Sequence, residues 1–444
     1  PEGLTPQSWH LFAIFVATIV GFITQPIPIG GVSIVVITVA ALTGTLKISE
    51  GISGFANSAI WLIVGAFLFS RGFIKTGLGK RIAYNLIAAF GSSSLRLAYA
   101  LALSDLILAP ATPSNTARVG GVIMPITTSL AKAFGSEPQD GPRKIGSFLM
   151  QSIYQVNTIT SAMFQTSMAG NTLVAALALQ SFGIGITWGD WAMAAIVPGI
   201  IALIIMPYFI YKAYPPEIKD AREAQQMIRE ELKGLGKMSF QEWVMLGVFV
   251  LALVLWATSQ FTKIDATTVA FLGISILLAT GVLIWDDVKS EKGAWDTLVW
   301  MGTLMGFAGF LSKLGFIKWA TLQVGGYIPE GSWVIAFVIA VLVNTYAHYV
   351  FASLTAHISA MFVAFSAIAI SAGAPPMLTL LMIAFTSNLC MSLTHYAAGP
   401  SPVIFNTGYV PQNTWWKLGF FASVINLIIF MGIGSLWMKV IGMW

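Results

Sequence analysis

The sequence predicts an all-α polytopic membrane protein of two inverted repeats, each holding a re-entrant helical hairpin and an interrupted helix. Three observations carry this: too little charge for a wetted surface, polar breaks inside apolar tracts, and one polar phrase spelled twice. Of 444 residues, 57% are hydrophobic and only 9% charged, against about 25% charged in an average soluble domain. Residues 11–46, 145–189 and 331–416 contain no Asp, Glu, Lys or Arg. A spanning helix takes roughly 20 apolar residues, so each run has room for at least two passes. The net charge of +5 does not point to nucleic acid, because the basic residues lie in short loops between apolar segments. The one cysteine, Cys390, cannot form an intrachain disulfide and reads as a small core residue.

Taken in order, apolar segments fall near 9–25, 31–46, 59–73, 82–103, 106–130, 146–182, 190–211, 241–258, 266–285, 297–312, 333–350, 353–370, 376–405 and 417–442. The chain divides into N-terminal helices (1–58), a first repeat (59–211), a linker (212–240), further helices (241–296) and a second repeat (297–444). Residues 212–237 mix six basic with five acidic side chains and read as a surface helix. Residues 71–81 hold Arg71, Lys75, Lys80 and Arg81 without an acid. The excess of positive charge places both stretches in the cytoplasm.

Four tracts are not clean spans. Tract 95–130 is broken by APATPSN and tract 333–370 by Asn344, His348, Ser353 and His357. Segment 146–182 carries QTSMAGNT, and 376–405 carries THYAAGPSP. Irregular backbone at membrane depth is tolerated only where it is buried in protein or lines a cavity, so each break marks a candidate site. The breaks are paired. SNTAR (114–118) returns 239 residues later as SLTAH (353–357), and Trp61 and Trp300 share that spacing. RGFIKTGL (71–78) has a partner in LGFIKWAT (314–321). The interrupted helices carry Gly170-Asn171-Thr172 and Gly399-Pro400-Ser401. Matching broken helices in two halves point to a transporter site between them. With both basic loops cytoplasmic, the hairpins enter from opposite sides, and Ser114 and Ser353 meet near the midplane.

The tips offer Ser114, Asn115, Thr116, Ser353 and Thr355 as neutral hydrogen-bonding groups at helix starts. Such helix ends carry about half a positive charge and bind anions, although the same side chains also serve as ordinary caps. Arg118 and His357 follow each Thr by two positions. An arginine inside an apolar tract costs roughly 3 kcal/mol to insert, so it should face the bundle interior or a cavity. Asp105 reads as the neutraliser of Arg96 or Arg118. Three of the four histidines, His348, His357 and His395, fall in the stretch 331–416, which has no acidic relay. Neutral donors, helix ends and cations suit a di-anion whose two carboxylates meet two symmetric tips.

SNTARVGGVIMP, its Ser-Leu-Thr counterpart and TSNLCMSLTHYAAGPSPVIF resemble the divalent-anion:sodium symporter family, in particular its dicarboxylate translocators. The resemblance covers essentially the whole chain. It implies exchange of 2-oxoglutarate, malate or succinate, a homodimer in the cell membrane, and an elevator-like shift of a transport domain against a scaffold drawn from 1–58 and 241–296. No cofactor or metal is implied. Carried over, Ser114, Asn115, Thr116, Ser353, Leu354 and Thr355 bind substrate carboxylates, with Asn171, Thr172, Gly399, Pro400 and Ser401 alongside. Two departures stand out. Leu354 replaces the Asn expected at the second tip, and Arg118 and His357 place cationic groups where sodium would sit. Fixed charge in place of sodium favours an antiporter over a sodium-coupled symporter. An anion channel would need a continuous polar pore. An intramembrane hydrolase would need a nucleophile arrangement that these serines and histidines lack.

Overall fold

The structure, a computed structural model, describes residues 3–316, 319 and 333–444. Those residues form helices joined by short turns, with no strand beyond an isolated bridge between Ser93 and Asp220. Among them, nine helices are long and apolar enough to cross a membrane, from Pro6–Thr24 to Gln412–Val440. Local signals set many of the starts. Ser93 accepts the amide of Arg96, while Ser239 with Glu242 and Thr187 with Asp190 form reciprocal capping boxes. Helix Trp188–Ala213 carries Pro198 and Pro207 in its interior.

The helices bearing the repeated tryptophans, Ser58–Thr76 and Lys292–Lys313, pack on one another, and Ser58–Thr76 also packs on Ala266–Ala279. Gly65 permits that approach, since a Cβ there would stand 3.0 Å from the Ala270 methyl. The second copy of the GFIK phrase falls partly outside the described residues, at 317, 318, 320 and 321.

Each hairpin has the same anatomy. The first descends through Ser94–Leu108 and a tight turn Ala109–Ala111, then returns through Asn115–Arg118, a π-helical stretch Val119–Ile123, and Met124–Ala133. The second descends through Trp333–Ala347 and His348–Val350, then returns through Leu354–Ser371. The descending limbs, the turns and the returning caps all keep the spacing of 239 residues. The expected interruptions are also present. Helix Gly146–Met163 stops at extended Phe164, turns through Gln165–Ser167 and resumes as Ala169–Phe182. Helix Pro376–Leu389 passes through Cys390–Leu393 to extended Thr394 and resumes as Pro400–Phe405.

The polar linker contains helix Arg222–Gly234, whose Ala224, Gln225 and Ile228 are buried against Leu78–Phe90. Gln225 Nε2 donates to the Ala88 carbonyl at 2.9 Å. Nearby, Arg81 Nε meets Glu242 Oε1 at 2.5 Å in a largely buried pair, so this basic residue, expected in a loop, lies in helix Leu78–Phe90 and is a structural tie.

Candidate functional site

The two tips share one cavity of about 300 Å³. Ser114, Asn115 and Thr116 line one side of it, and Ser353, Leu354 and Thr355 line the other. The tips are built alike. Ser114 Oγ accepts the Ala117 amide at 3.1 Å, and Ser353 Oγ accepts the Ala356 amide at 3.3 Å. Capping and lining are thus the same job: the serine satisfies one free amide and leaves neighbouring polar groups toward the cavity. Asn115 Nδ2 has only the Met391 sulfur at 3.6 Å, a weak partner that leaves its amide available. Gly399 closes the wall, where a Cβ would overlap Thr116 Oγ1. Among the described residues, no charged side chain lines the cavity.

Other expected residues stand behind this wall. Asn171, Thr172, Pro400 and Ser401, expected alongside the tips, do not line it. They hold the breaks, because unwound carbonyls need partners. Asn171 Nδ2 donates to the carbonyls of Ser161 (2.7 Å) and Phe164 (2.9 Å), and Thr172 Oγ1 donates to the Gln165 carbonyl at 3.3 Å. Ser401 Oγ accepts the Ala398 amide at 3.1 Å and meets Tyr154 Oη at 2.9 Å. Tyr154 also donates to carbonyls of the second break, those of Met391 and Thr394. Pro400 opens the short helix after that break.

Arg118 is paired, and of the two arginines that Asp105 could neutralise it is the one that Asp105 meets. Its Nε donates to Asp105 Oδ1 at 2.9 Å, and both side chains are almost fully buried. Nη1 donates to the Thr112 carbonyl (2.8 Å) and the Ser167 carbonyl (3.0 Å). Nη2 reaches the hydroxyls of Thr160 (3.3 Å) and Ser161 (3.2 Å). The guanidinium has five N–H donors, and each has an oxygen. Asp105 is held in turn by Asn157 and Thr160. A cation this deep costs least when it is paired and fully hydrogen-bonded, so tip, break and carboxylate close around Arg118.

His357 takes the equivalent place in the second half. Its Nε2 meets Asn344 Oδ1 at 3.1 Å and its Nδ1 meets His348 Nδ1 at 3.1 Å. Asn344 stands 239 residues after Asp105, and its Nδ2 faces the hydroxyls of Thr386 (3.4 Å) and Ser387 (3.1 Å). This Thr-Ser pair mirrors Thr160-Ser161. His395 lies apart, accepting from Trp416 Nε1 at 3.0 Å.

Sequence reasoning missed Gln25, Phe67, Pro113, Met168, Ala169, Ala352 and Ala398, which complete the wall. Gln25 carried a faint signal, as a polar residue between two apolar runs and just before Pro26. It is one of two non-glycine residues with positive φ among those described, at 45°, where it ends helix Pro6–Thr24. Phe67 and Met168 are apolar and look like any core residue.

Two pseudo-equivalent hairpins closing on one uncharged cavity, within a bundle that holds nine candidate spans, define a multi-pass membrane transporter with internal repeats. The chain belongs to the sodium:sulfate symporter family, whose transmembrane region matches residues 1–444. It is 53% identical over 445 residues to the putative malate transporter YflS of Bacillus subtilis (strain 168), covering 100% of this chain and 93% of that one. It is 46% identical over 448 residues to dicarboxylate transporter 1, chloroplastic, of Spinacia oleracea, covering 100% and 79%. Among solved structures, it resembles the YdaH transporter of Alcanivorax borkumensis with a TM-score of 0.53 at 11% identity, covering 91% and 88% of the two chains. That likeness is one of fold.

Proposed function

We propose that this protein exchanges C4 and C5 dicarboxylates such as malate, 2-oxoglutarate and succinate, without sodium, by an elevator-type alternation. One observation carries the reading: a single cavity lined by both Ser-x-Thr tips and by no charged side chain. Each tip presents hydroxyls and a helix start to one carboxylate, so a substrate with an anionic group at each end engages both halves together. The names of the related malate and dicarboxylate transporters agree with a substrate of this kind.

The environment of Arg118 supports sodium independence. The carbonyls of Thr112 and Ser167 and the hydroxyls of Thr160 and Ser161 form a cluster of oxygens suited to a small cation. The guanidinium fills that cluster permanently. In the elevator reading, both hairpins and both interrupted helices travel as one unit, tied by Tyr154 to the second break and by Asn388 Nδ2 to Asn171 Oδ1 at 2.7 Å. Gln25 and Phe67 belong to the stationary side, with 1–58 and 241–296 as scaffold. Helix Ser58–Thr76 joins that scaffold, since it packs on Ala266–Ala279. The working form in this reading is a homodimer.

The test is counterflow in reconstituted vesicles. Vesicles loaded with malate take up labelled 2-oxoglutarate with no sodium on either side. Uptake that stays silent until sodium is imposed favours instead the sodium-coupled mode in the family's description. A steady current without saturable exchange means a channel.

A further inference from the structure

The second hairpin holds a pair of imidazoles whose hydrogen-bond partners fix their proton content. His348 Nε2 lies 2.9 Å from the carbonyl of Ala397, which only accepts, so that nitrogen carries hydrogen. His357 Nε2 faces the Asn344 side chain, whose orientation its other contacts set. Thr386 and Ser387 give their hydroxyl hydrogens to helix carbonyls at Met382 and Ile383. They therefore present lone pairs, and Asn344 must turn its NH₂ toward them and its oxygen toward His357. His357 Nε2 thus also carries hydrogen. If both rings were neutral, two Nδ1 lone pairs would face each other across 3.1 Å inside the protein.

We propose that His348 and His357 bind one additional proton between their Nδ1 atoms, so that the pair is a proton-binding site carrying a single positive charge. Three hydrogens then sit on four ring nitrogens, and every one has an acceptor. The proton comes from water and returns to it, with no other bond made or broken. The separation of 3.1 Å falls within the ordinary hydrogen-bond range.

A metal ion is the rival occupant, because Cys390 Sγ and the two imidazoles lie within 4.8 Å of one another. The observations favour the proton, since the thiol is engaged as a donor to the Ser387 carbonyl at 3.3 Å. Among the described residues, Cys390 is the one other His, Cys, Asp or Glu grouped with the pair, and residues 331–416 contain no carboxylate, Lys or Arg to replace or oppose the charge. Phe351, packed against both rings, is apolar.

On the exchanger reading, which gives this site its use, the first half is electrically neutral through Arg118 and Asp105. The shared proton then supplies the uncompensated positive charge behind the cavity. Loss of that proton in alkali leaves the cavity without it, and exchange falls.

The experiment is ring-¹⁵N histidine NMR on the full chain in lipid nanodiscs, which needs no substrate and so stands apart from any failure of the transport reading. His357→Gln and His10→Gln, compared with the wild type, identify the pair's signals. Expected near neutral pH are three hydrogen-bearing nitrogens out of four and a nitrogen–nitrogen coupling across the Nδ1 contact, falling to two in alkali. Two hydrogen-bearing nitrogens at neutral and mildly acid pH overturn the proposal. So does one equivalent of zinc on the purified protein, lost in His357→Gln.

Discussion

Behind the first tip an arginine meets a carboxylate; behind the second, at the same spacing, a histidine meets an amide and another histidine. The surrounding frame hardly changes, with a Ser cap, a tight turn, and a Thr-Ser pair on the neighbouring helix. The lesson is that the fold repeats the geometry needed to hold a substrate while leaving the charge in each half separately adjustable. The first half is locked, because five donors and a carboxylate leave Arg118 one arrangement. The second is adjustable, because imidazoles gain and lose protons.

Removing the charged partner breaks the comparison most strongly. Arg118→Ala leaves Asp105 buried and unpaired, a loss of about 3–5 kcal/mol. His357→Ala leaves neutral groups without partners and costs about 1–3 kcal/mol. Thermal melts of purified protein should show the first shift clearly larger, and equal shifts would mean that the Arg118–Asp105 pair is not the tighter lock. Arg118→Ala also vacates an oxygen cluster beside a carboxylate, so residual uptake should become sodium-stimulated.

Next in size is Gly399→Ala. The new methyl displaces the Thr116 hydroxyl, and exchange should fall about tenfold, equivalent to about 1.4 kcal/mol, with little change in melting temperature. Normal exchange would remove Gly399 from the wall.

Smaller still are Thr116→Ala and Thr355→Ala. Each should raise the half-saturating dicarboxylate concentration about fivefold, for one lost hydrogen bond of about 1 kcal/mol. Similar effects at both tips sharpen the picture of a substrate shared between halves, whereas an effect at one tip alone breaks it.

The smallest effect lies outside both hairpins, at Asp287, which Lys75 contacts at 2.5 Å. Burial raises this carboxyl, but the Lys75 hydrogen bond, the Ile284 amide and the charges of Lys75 and Arg71 outweigh it and hold it below the usual carboxylate range. A lowered value means stability that is present above the unfolded value, about 3.9, and lost as pH falls through the folded one. Asp287→Asn should therefore melt slightly earlier at neutral pH, with the difference closing in acid. A gap that persists in acid would show that the carboxylate's charge is not its source.

Much of the fold was legible because membrane helices announce themselves by composition, and because SNTAR and SLTAH kept their spacing. The interruptions at 164–168 and 394–399 were legible because the polar clusters QTS and THY stand out in apolar spans. The division of labour within the site was not. Asn171 and Ser401 belong to polar breaks, yet their hydrogen bonds turn inward, Asn171 to unwound carbonyls and Ser401 to the Ala398 amide. Nothing in the spacing distinguishes a side chain facing the cavity from one facing the break. Asn344 keeps the repeat spacing from Asp105, but an amide in place of a carboxylate gave no sign of its role, and Phe67 and Met168 reach the wall through tertiary packing alone.

The bond between Asn388 and Asn171 joins the two interruptions across a sequence separation of 217 residues. A displacement of either interruption strains this bond, which couples the two mirror halves. On the exchange reading proposed above, a molecule with one acidic end would engage only half of that coupled grip.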